Sequence, residues 1–469
     1  MAGCSSESIP ERPNILFLFS DDQRADAIGA YGNDFVKTPE LDKLSESGFN
    51  FREAHIMGSI HGAVCMPSRA MLMSGRSLYH VYDQLDSVAT FPERMADDGY
   101  ITFGTGKWHQ SRESFARSFT QSRNILFSGM ANHFALDIQQ MNSEGEFSEK
   151  ENRGFSTDLF ADAAIDFIED YAQADTSAPF LAYVSFSVPH DPRTPKPEFM
   201  REEENYAPLP DNFLPVHPFH NGWMTGRDEK LAGWPREPEV IRSQLTEYYG
   251  LIDHMDTRIG DILGALDVNG LRDDTIIIFS SDNGLAMGSH GLLGKQSLYE
   301  HSNRVPLIIS GPGIPRGETD AFVMLYDLLP TLAEFTGFEV PDGVDGESLI
   351  GLLQGQQESI RNEIYTTYED LHRSVRDERW KLIRYPRLDR EQLFDLQSDP
   401  LEMNDLSGDP TFSSHADRLR ARMEVYHVEF DDPHPLYVDS LDSEVFDYSN
   451  IVRSPDRWQP QWVIDTYFD

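Results

Sequence analysis

The chain has 469 residues and is 39% hydrophobic, enough to bury one large core with a smaller one appended. Its 39 Lys plus Arg against 79 Asp plus Glu give a formal net charge of -40, so nucleic acid and anionic membrane surfaces are excluded as partners by long-range repulsion. Apolar runs such as ILFLF (15 to 19) and TIIIF (275 to 279) fall far short of the roughly eighteen residues of a membrane helix, so no transmembrane segment is expected.

Residues 1–12 read as a tail. Small residues, Cys4 and a serine-rich stretch resemble the cleavage and lipidation site of a bacterial lipoprotein, with a chance cysteine as the alternative. A lipid anchor at Cys4 implies a signal peptide already removed and a periplasmic or cell-surface location. It would also leave Cys65 without a disulfide partner in the chain, giving Cys65 a role in packing or chemistry.

From residue 13 onward, PNILFLFSDDQ is a short apolar run ending in two acids, the pattern of a buried strand that delivers Asp21 and Asp22 at its C-terminal end. TPELDKLSESG and STDLFADAAIDFIEDYA read as helices opened by Thr or Ser with acids in the first turn. APFLAYVSFSVPH is a second strand ending at His190, and the proline-rich stretch from about 196 to 238 is a surface loop flanking a site. DDTIIIFSSDNG repeats the first pattern, ending in Asp282 and Asn283. Strands alternating with helices predict an α/β fold: a large, mostly parallel sheet sandwiched by helices over 13–360, with ligands beyond the carboxyl ends of the strands. EIYTTYED, HRSVRDER, WKLIRYP and EQLFDLQSDP then predict an antiparallel meander in a smaller subdomain, 361–469.

A DD pair after a strand is by itself a turn or a helix cap. Two such pairs at the ends of two central strands point instead to a shared hard-oxygen site for Ca²⁺ or Mg²⁺ built from Asp21, Asp22, Asp282 and Asn283.

CMPSRAMLMSGR, from Cys65 to Arg76, matches the C-x-P-S-R-x-x-x-x-x-G-R signature of the formylglycine-dependent sulfatases. TGKWH (105–109), SVPHDPR (187–193), SDNG (281–284), GKQSLYEHSNRVPLIISGPG from 294 and QLFDLQSDPLEMNDL extend the resemblance over most of the chain. The resemblance implies an alkaline-phosphatase-like fold, hydrolysis of a sulfate ester, and oxidation of Cys65 to Cα-formylglycine by a formylglycine-generating or anaerobic sulfatase-maturating enzyme. Such an aldehyde hydrates to a diol: one oxygen takes the sulfuryl group, and loss of the other hydroxyl's proton expels sulfate, an exit that a thiol lacks. The metal set becomes Asp21, Asp22, Asp282 and Asn283 with the modified Cys65.

Arg69, one helical turn after Cys65, is placed to hold the diol and a metal carboxylate. Lys107 and His109, two apart in an extended GKWH, are expected on one side of a strand. The family pattern gives Lys107 and Lys295 to the sulfate, His109 to the diol as base, and His190 to the leaving alcohol as general acid. Singly, each would more often be a structural histidine or a surface lysine. Arg24, Arg112, His133, Arg193, Arg373 and Arg376 are candidate readers of neighbouring anionic groups on the substrate, with plain surface charge as the alternative. His55 and His61 read as structural.

The stretch from Gly106 to Phe134 is similar to polysaccharide sulfatases of marine bacteria, so the expected substrate is a sulfated algal polysaccharide or its oligosaccharides, such as ulvan or carrageenan. Two alternatives stay open: a phosphodiester or phosphonate monoester hydrolase of the same superfamily, against which the SDNG and Lys295 contexts argue, and a sulfated-glycan binding protein without turnover.

Overall fold

The computed structural model describes residues 10–468, so Cys4 and the lipid-anchor reading lie outside the described residues. An eight-stranded sheet runs in the spatial order Gly317–Thr319, Phe49–Phe51, Leu307–Ser310, Thr275–Ser281, Asn14–Asp21, Phe180–Pro189, Ile101–Lys107 and Gln121–Leu126. From Thr275–Ser281 to Gln121–Leu126 every pairing is parallel, while Leu307–Ser310 pairs antiparallel on both its sides.

The first strand shows why these residues choose this arrangement. Its side chains alternate with period two, and both sets are apolar: Ile15, Phe17 and Phe19 enter one core, Leu16 and Leu18 the other. A strand buried on both faces fits only the middle of a layered sandwich. One face is covered by the helices Pro39–Ser47, Ser156–Gln173 and Pro238–Val268, which contribute Leu41, Phe160 and Met255. The other carries Cys65–Ser74, Phe91–Asp97 and Leu328–Thr336, with Leu72, Met95 and Leu332. The 31-residue helix Pro238–Val268 is the longest element, and the sequence reading did not single it out.

Glu363–Tyr368, His372–Asp377, Trp380–Tyr385 and Arg390–Asp395 form the expected antiparallel meander. Two features go beyond that expectation. The helix Ser413–Glu429 covers the meander through Ala416, Leu419 and Met423. Gly58–Ser59, only a few residues before Cys65, adds a parallel edge strand beside Thr367 and Tyr368. A Cβ on Gly58, whose φ is +108°, would lie 1.9 Å from the Thr367 carbonyl, so this approach requires glycine. The second sheet is therefore stitched to the catalytic half directly upstream of Cys65.

The stretch 196–238 contains only short 3₁₀ turns, as a loop should. Trp223 packs edge-on against Tyr368 of the meander, 5.6 Å between ring centroids. Among the described residues no helix is long and apolar enough to cross a membrane.

Candidate active site

Four adjacent parallel strands end at one edge of the large sheet, and each ends in a polar group. Asp21 closes Asn14–Asp21, Lys107 closes Ile101–Lys107, His190 follows Phe180–Pro189, and Asp282 follows Thr275–Ser281. Cys65 is the first residue of the helix Cys65–Ser74 and is 1% exposed. Its Sγ stands where an oxygen of a formylglycine diol would sit. Three groups converge on that atom: His109 Nδ1 at 3.3 Å, Lys107 Nζ at 3.5 Å and Lys295 Nζ at 3.8 Å.

Below it lies a closed set of ion pairs. Lys107 Nζ donates to Asp21 Oδ2 at 2.6 Å, and Lys295 Nζ to Asp22 Oδ1 at 2.6 Å. Arg69 Nε donates to Asp282 Oδ2 at 2.9 Å, and its Nη1 donates to Ser185 Oγ and the Lys107 carbonyl at 2.6 and 2.9 Å. The Asp22 amide donates to Asp282 Oδ1 at 2.9 Å, and Asn283 Nδ2 to Asp22 Oδ1 at 2.8 Å. Asp22 has φ +68° and His109 φ +72°, left-handed conformations that non-glycine residues seldom adopt. The extended GKWH is thereby corrected: the strand stops at Lys107, and the chain turns so that His109 reaches Cys65 from beyond the strand end.

Burial raises Asp21 well above the usual carboxyl range; Lys107 opposes this, while Asp282 and Asp22 add to it. For Asp22 burial is overcome by Lys295, then His190 and Lys107, which hold it at about 2. Burial would lower both lysines, but Asp21 keeps Lys107 and Asp22 keeps Lys295 above their ordinary values, so both remain cations. His109 is pushed well below 6.5 by burial and then by Lys107 and Arg69, leaving a neutral ring fit to accept a proton. Burial likewise raises the Cys65 thiol against the pull of Lys107 and Lys295.

The floor fits a hard dication. Asp21 Oδ1 and Asn283 Oδ1 are buried without a hydrogen-bond partner, and donor atoms of Asp21, Cys65 and Asp282 lie within 4.8 Å of one another. Repelling carboxylates that leave oxygens unmatched are what a divalent cation would neutralise. Arg69 Nη2 is also buried and unmatched beside them, a further donor for an anion.

Most of the expected substrate readers lie elsewhere. Arg24 is buried, clamped on Asp26 and on the carbonyls of Leu285 and Ala286. Arg373 is buried in a bidentate pair with Asp432, both bonds 2.9 Å. Arg376 is buried between Glu53 and Glu300. Arg193 is buried, bonded to Gln244 Oε1 at 2.8 Å. All four guanidinium groups are turned to internal partners. His133 is buried as well, but its Nε2 donates to the His190 carbonyl at 2.9 Å and its Nδ1 accepts from Ser156 Oγ, so it braces the catalytic loop. Burial lowers it to about 4, which keeps it neutral. Arg112 alone of the group is exposed, bonded to Gln139 and lying over the Phe127 ring. His61 pairs with Asp83 at 2.6 Å and His55 with Glu300 at 3.2 Å.

The sequence reading passed over Ser185, Asp191, Arg227 and Gly129. A Cβ on Gly129 would lie 2.4 Å from His109 Nε2, so the loop that walls in His109 needs glycine there. Asp191 had a visible signal, its place beside His190. Ser185 and Arg227 had none, because their partners are remote in sequence.

Comparison with known proteins places this geometry. The family model described as Sulfatase matches residues 13–338, and one described as N-sulphoglucosamine sulphohydrolase, C-terminal, matches 288–429. An arylsulfatase of Clostridium perfringens is 28% identical over 87% of this chain and 93% of its own length. An N-acetylglucosamine-6-O-sulfatase of Bacteroides thetaiotaomicron is 25% identical over 93% and 90%, and an ulvan-active sulfatase of Formosa agariphila 27% over 90% and 82%. Among solved structures, a protein in complex with its substrate D-glucosamine-2-N,6-O-disulfate superposes with a TM-score of 0.76 at 24% identity, covering 91% of this chain and 99% of that one. A phosphonate monoester hydrolase of Agrobacterium radiobacter superposes at 0.68 with 20% identity, covering 89% and 96%, a likeness of fold. A family match over more than half of the chain, on the same residues whose strand ends meet around Cys65, establishes that this chain belongs to the sulfatase family, sulfuric ester hydrolases of alkaline-phosphatase-like fold.

Proposed function

We propose that this enzyme removes sulfate from a sulfated glycan, with Cys65 matured to formylglycine and Ca²⁺, or Mg²⁺ in its place, held by Asp21, Asp22, Asp282 and Asn283. The observation that carries the reading is the convergence of two lysines and a neutral histidine on one buried Sγ above unmatched carboxylate and amide oxygens. Glycan specificity is supported by relatives named for N-acetylglucosamine-6-sulfate and ulvan; sulfated algal polysaccharide, ulvan or carrageenan, remains the leading substrate. Maturation by a partner enzyme and a periplasmic or cell-surface location belong to the same proposal, resting on the sequences around Cys65 and Cys4.

The formylglycine hydrate supplies a nucleophilic oxygen and a second hydroxyl that permits sulfate to leave; the dication supplies a Lewis acid that steadies negative oxygen. The protein's own side chains do the rest. Lys107 and Lys295 reach the position of Sγ as fixed cations and neutralise the sulfate oxygens without having to reorganise. Arg69 keeps Asp282 and Ser185 in register. His109 Nδ1, facing the same position, accepts the hydroxyl proton. His190 donates Nδ1–H to the Asp191 carbonyl at 2.8 Å with Nε2 facing the site; burial lowers its pKa while Asp22 and Asp191 pull it up, and it is the imidazolium form, with a second proton on Nε2, that protonates the leaving alcohol.

The test has two parts. The mass of the Cys65 peptide from a host with the maturation enzyme should show sulfur lost and oxygen gained, and free sulfate should appear from a panel of sulfated polysaccharides and oligosaccharides. An active enzyme with an intact thiol refutes the formylglycine chemistry. Faster turnover of an aryl phosphodiester than of an aryl sulfate would assign the chain to the phosphodiester branch, and binding without sulfate release from any substrate would make it a glycan-binding protein.

A further inference from the structure

Residues 430–468 lie beyond both matched family regions, yet they return to the catalytic half and run along the loop 196–238. The His220 amide donates to the Glu444 carbonyl at 2.8 Å, Phe446 packs on Trp234 with centroids 5.8 Å apart, and Arg453 Nε donates to the Lys230 carbonyl at 2.9 Å. The short helix Gln461–Tyr467 then docks Tyr467 against Ser243 and Glu247. Between these anchors, residues 456–459 reach the residue that follows the proposed general acid.

His190 Nδ1 lies 3.4 Å from Asp191 Oδ1 as well as bonding the Asp191 carbonyl. The Asp191 carboxylate is gripped by Arg227, with Nη1 at 2.6 Å from Oδ1 and Nη2 at 2.5 Å from Oδ2, and it also accepts from Gln459 Nε2 at 3.1 Å. Arg227 is in turn fixed by Asp456, to which its Nε donates at 2.9 Å, and by Asp228 at 3.0 Å. The chain of contact therefore runs from the C-terminal strap through Arg227 and Asp191 to the His190 ring. Burial would raise Asp191, but Arg227 overrides it and holds the carboxyl well below its ordinary range, so a full negative charge faces the imidazole.

We propose that Asp456 and Gln459 are positioning residues: through Arg227 and Asp191 they fix the rotation of the His190 ring so that Nε2 points at the departing alcohol. The proposal rests on the reading of His190 as the general acid. An imidazole that pivots about its Cβ–Cγ bond delivers its proton only over a narrow arc, and a misplacement of about 1 Å costs on the order of a hundredfold. His133 restrains the main chain at His190, and the strap supplies the complementary restraint on the ring.

A strap that merely clasps the fold would lower activity on every substrate alike, so the readout is leaving-group dependence. The matured, metal-loaded full chain is assayed on substituted phenyl sulfates, from 4-nitrophenyl to 4-methoxyphenyl, as His190→Ala, Gln459→Ala, Asp456→Asn and Asp456→Glu, with melting temperature recorded for each. His190→Ala should steepen the dependence of kcat/KM on leaving-group pKa. Gln459→Ala and Asp456→Asn should steepen it partway, losing at least about tenfold more on 4-methoxyphenyl than on 4-nitrophenyl sulfate. Asp456→Glu, which keeps the charge on Arg227, should return toward the wild-type slope. A wild-type slope in Gln459→Ala and Asp456→Asn beside a steep one in His190→Ala overturns the strap's role and spares the acid. A wild-type slope in His190→Ala overturns the acid assignment and the proposal with it. Should Asp456→Asn fail to fold, Gln459→Ala, which removes only one neutral amide contact, carries the same decision.

Discussion

Side chains of the kind that hold metals gather at the sheet edge, where Asp21 and Cys65 meet Asp282 and Asp21 also meets Asp22 and His190, and again, half-buried, beside the second sheet, where Glu53, His55 and Glu300 meet. Both contain carboxylates, both are crossed by cations, and in both the donor atoms lie within 4.8 Å of one another. They differ in what is left over. In the second, Arg376 Nη1 sits between the donors, 2.7 Å from Glu53 Oε2, 2.5 Å from Glu300 Oε2 and 3.1 Å from His55 Nε2, and Lys381 closes Glu300 Oε1 at 2.8 Å. Burial raises Glu300, but Arg376 and Lys381 overrule it and push it well below the ordinary range. In the first, Asp21 is driven the other way and its Oδ1 has no partner. In one cluster a guanidinium meets every donor, whereas in the other Asp21 Oδ1 meets none. Between these two clusters the difference lies in the unmatched Asp21 oxygen and not in the number of donors.

That contrast predicts opposite consequences for mutation. Cys65→Ala should cost on the order of 10⁴ or more in sulfate release, since the covalent route is lost, while melting changes little for so small a side chain. Retention of a hundredth of the activity would show that the chemistry does not pass through this residue. Arg376→Met should do the reverse. It strands Glu53 and Glu300 without their shared cation, costing about 3–5 kcal/mol in denaturant unfolding, with the kcat/KM of the folded enzyme within about twofold. Lost activity at unchanged stability would place the second cluster in the reaction.

A smaller effect separates the clusters by metal. Asp21→Asn should lower the calcium content found by elemental analysis and cost about tenfold to a hundredfold in rate, and exhaustive chelation of the wild type should also lower the rate. Glu53→Gln should change neither. Calcium retained by Asp21→Asn, or activity untouched by chelation, would reduce the acidic floor to a set of turn caps.

What was readable in the sequence follows the range of the interactions. Asp21, Asp22, Asp282 and His190 were visible because period-two apolar strands ended in them, and Cys65, Arg69 and Lys107 because short motifs carry their spacing. The internal partners of the arginines were not legible because they are remote: Arg373 meets Asp432 across 59 positions and Arg376 meets Glu53 across 323, distances over which no local pattern speaks. Arg24 had a nearer signal, since its partner Asp26 stands two residues on. His109 was assigned to an extended segment because a left-handed turn at a histidine has no sequence signal. The strap 430–468 lacks periodicity, and its meaning emerges only where it touches Arg227 and Asp191.

Glu247 extends the comparison to a carboxyl that, among the described residues, no cationic side chain pairs with. It is buried under the strap, accepts the Tyr467 hydroxyl at 2.5 Å, and burial raises it from 4.5 to about 8 against the weaker pulls of Tyr467 and Arg193. The folded protein thus holds a proton there that the unfolded chain releases near 4.5. By linkage its contribution to stability is fully present below about pH 4.5 and is lost as pH rises through about 8. Glu247→Gln keeps an acceptor for Tyr467 and removes the titration, so its melting temperature should fall less than the wild type's between pH 5.5 and 8.5. The shift should amount to a few degrees, the smallest effect of the series, with the strap becoming the first segment cleaved by protease in the wild type at the alkaline end. Parallel pH curves for the two proteins would mean that Glu247 is already ionised in the fold, and that burial alone does not keep a carboxyl protonated without the crowding of like charges that surrounds Asp21.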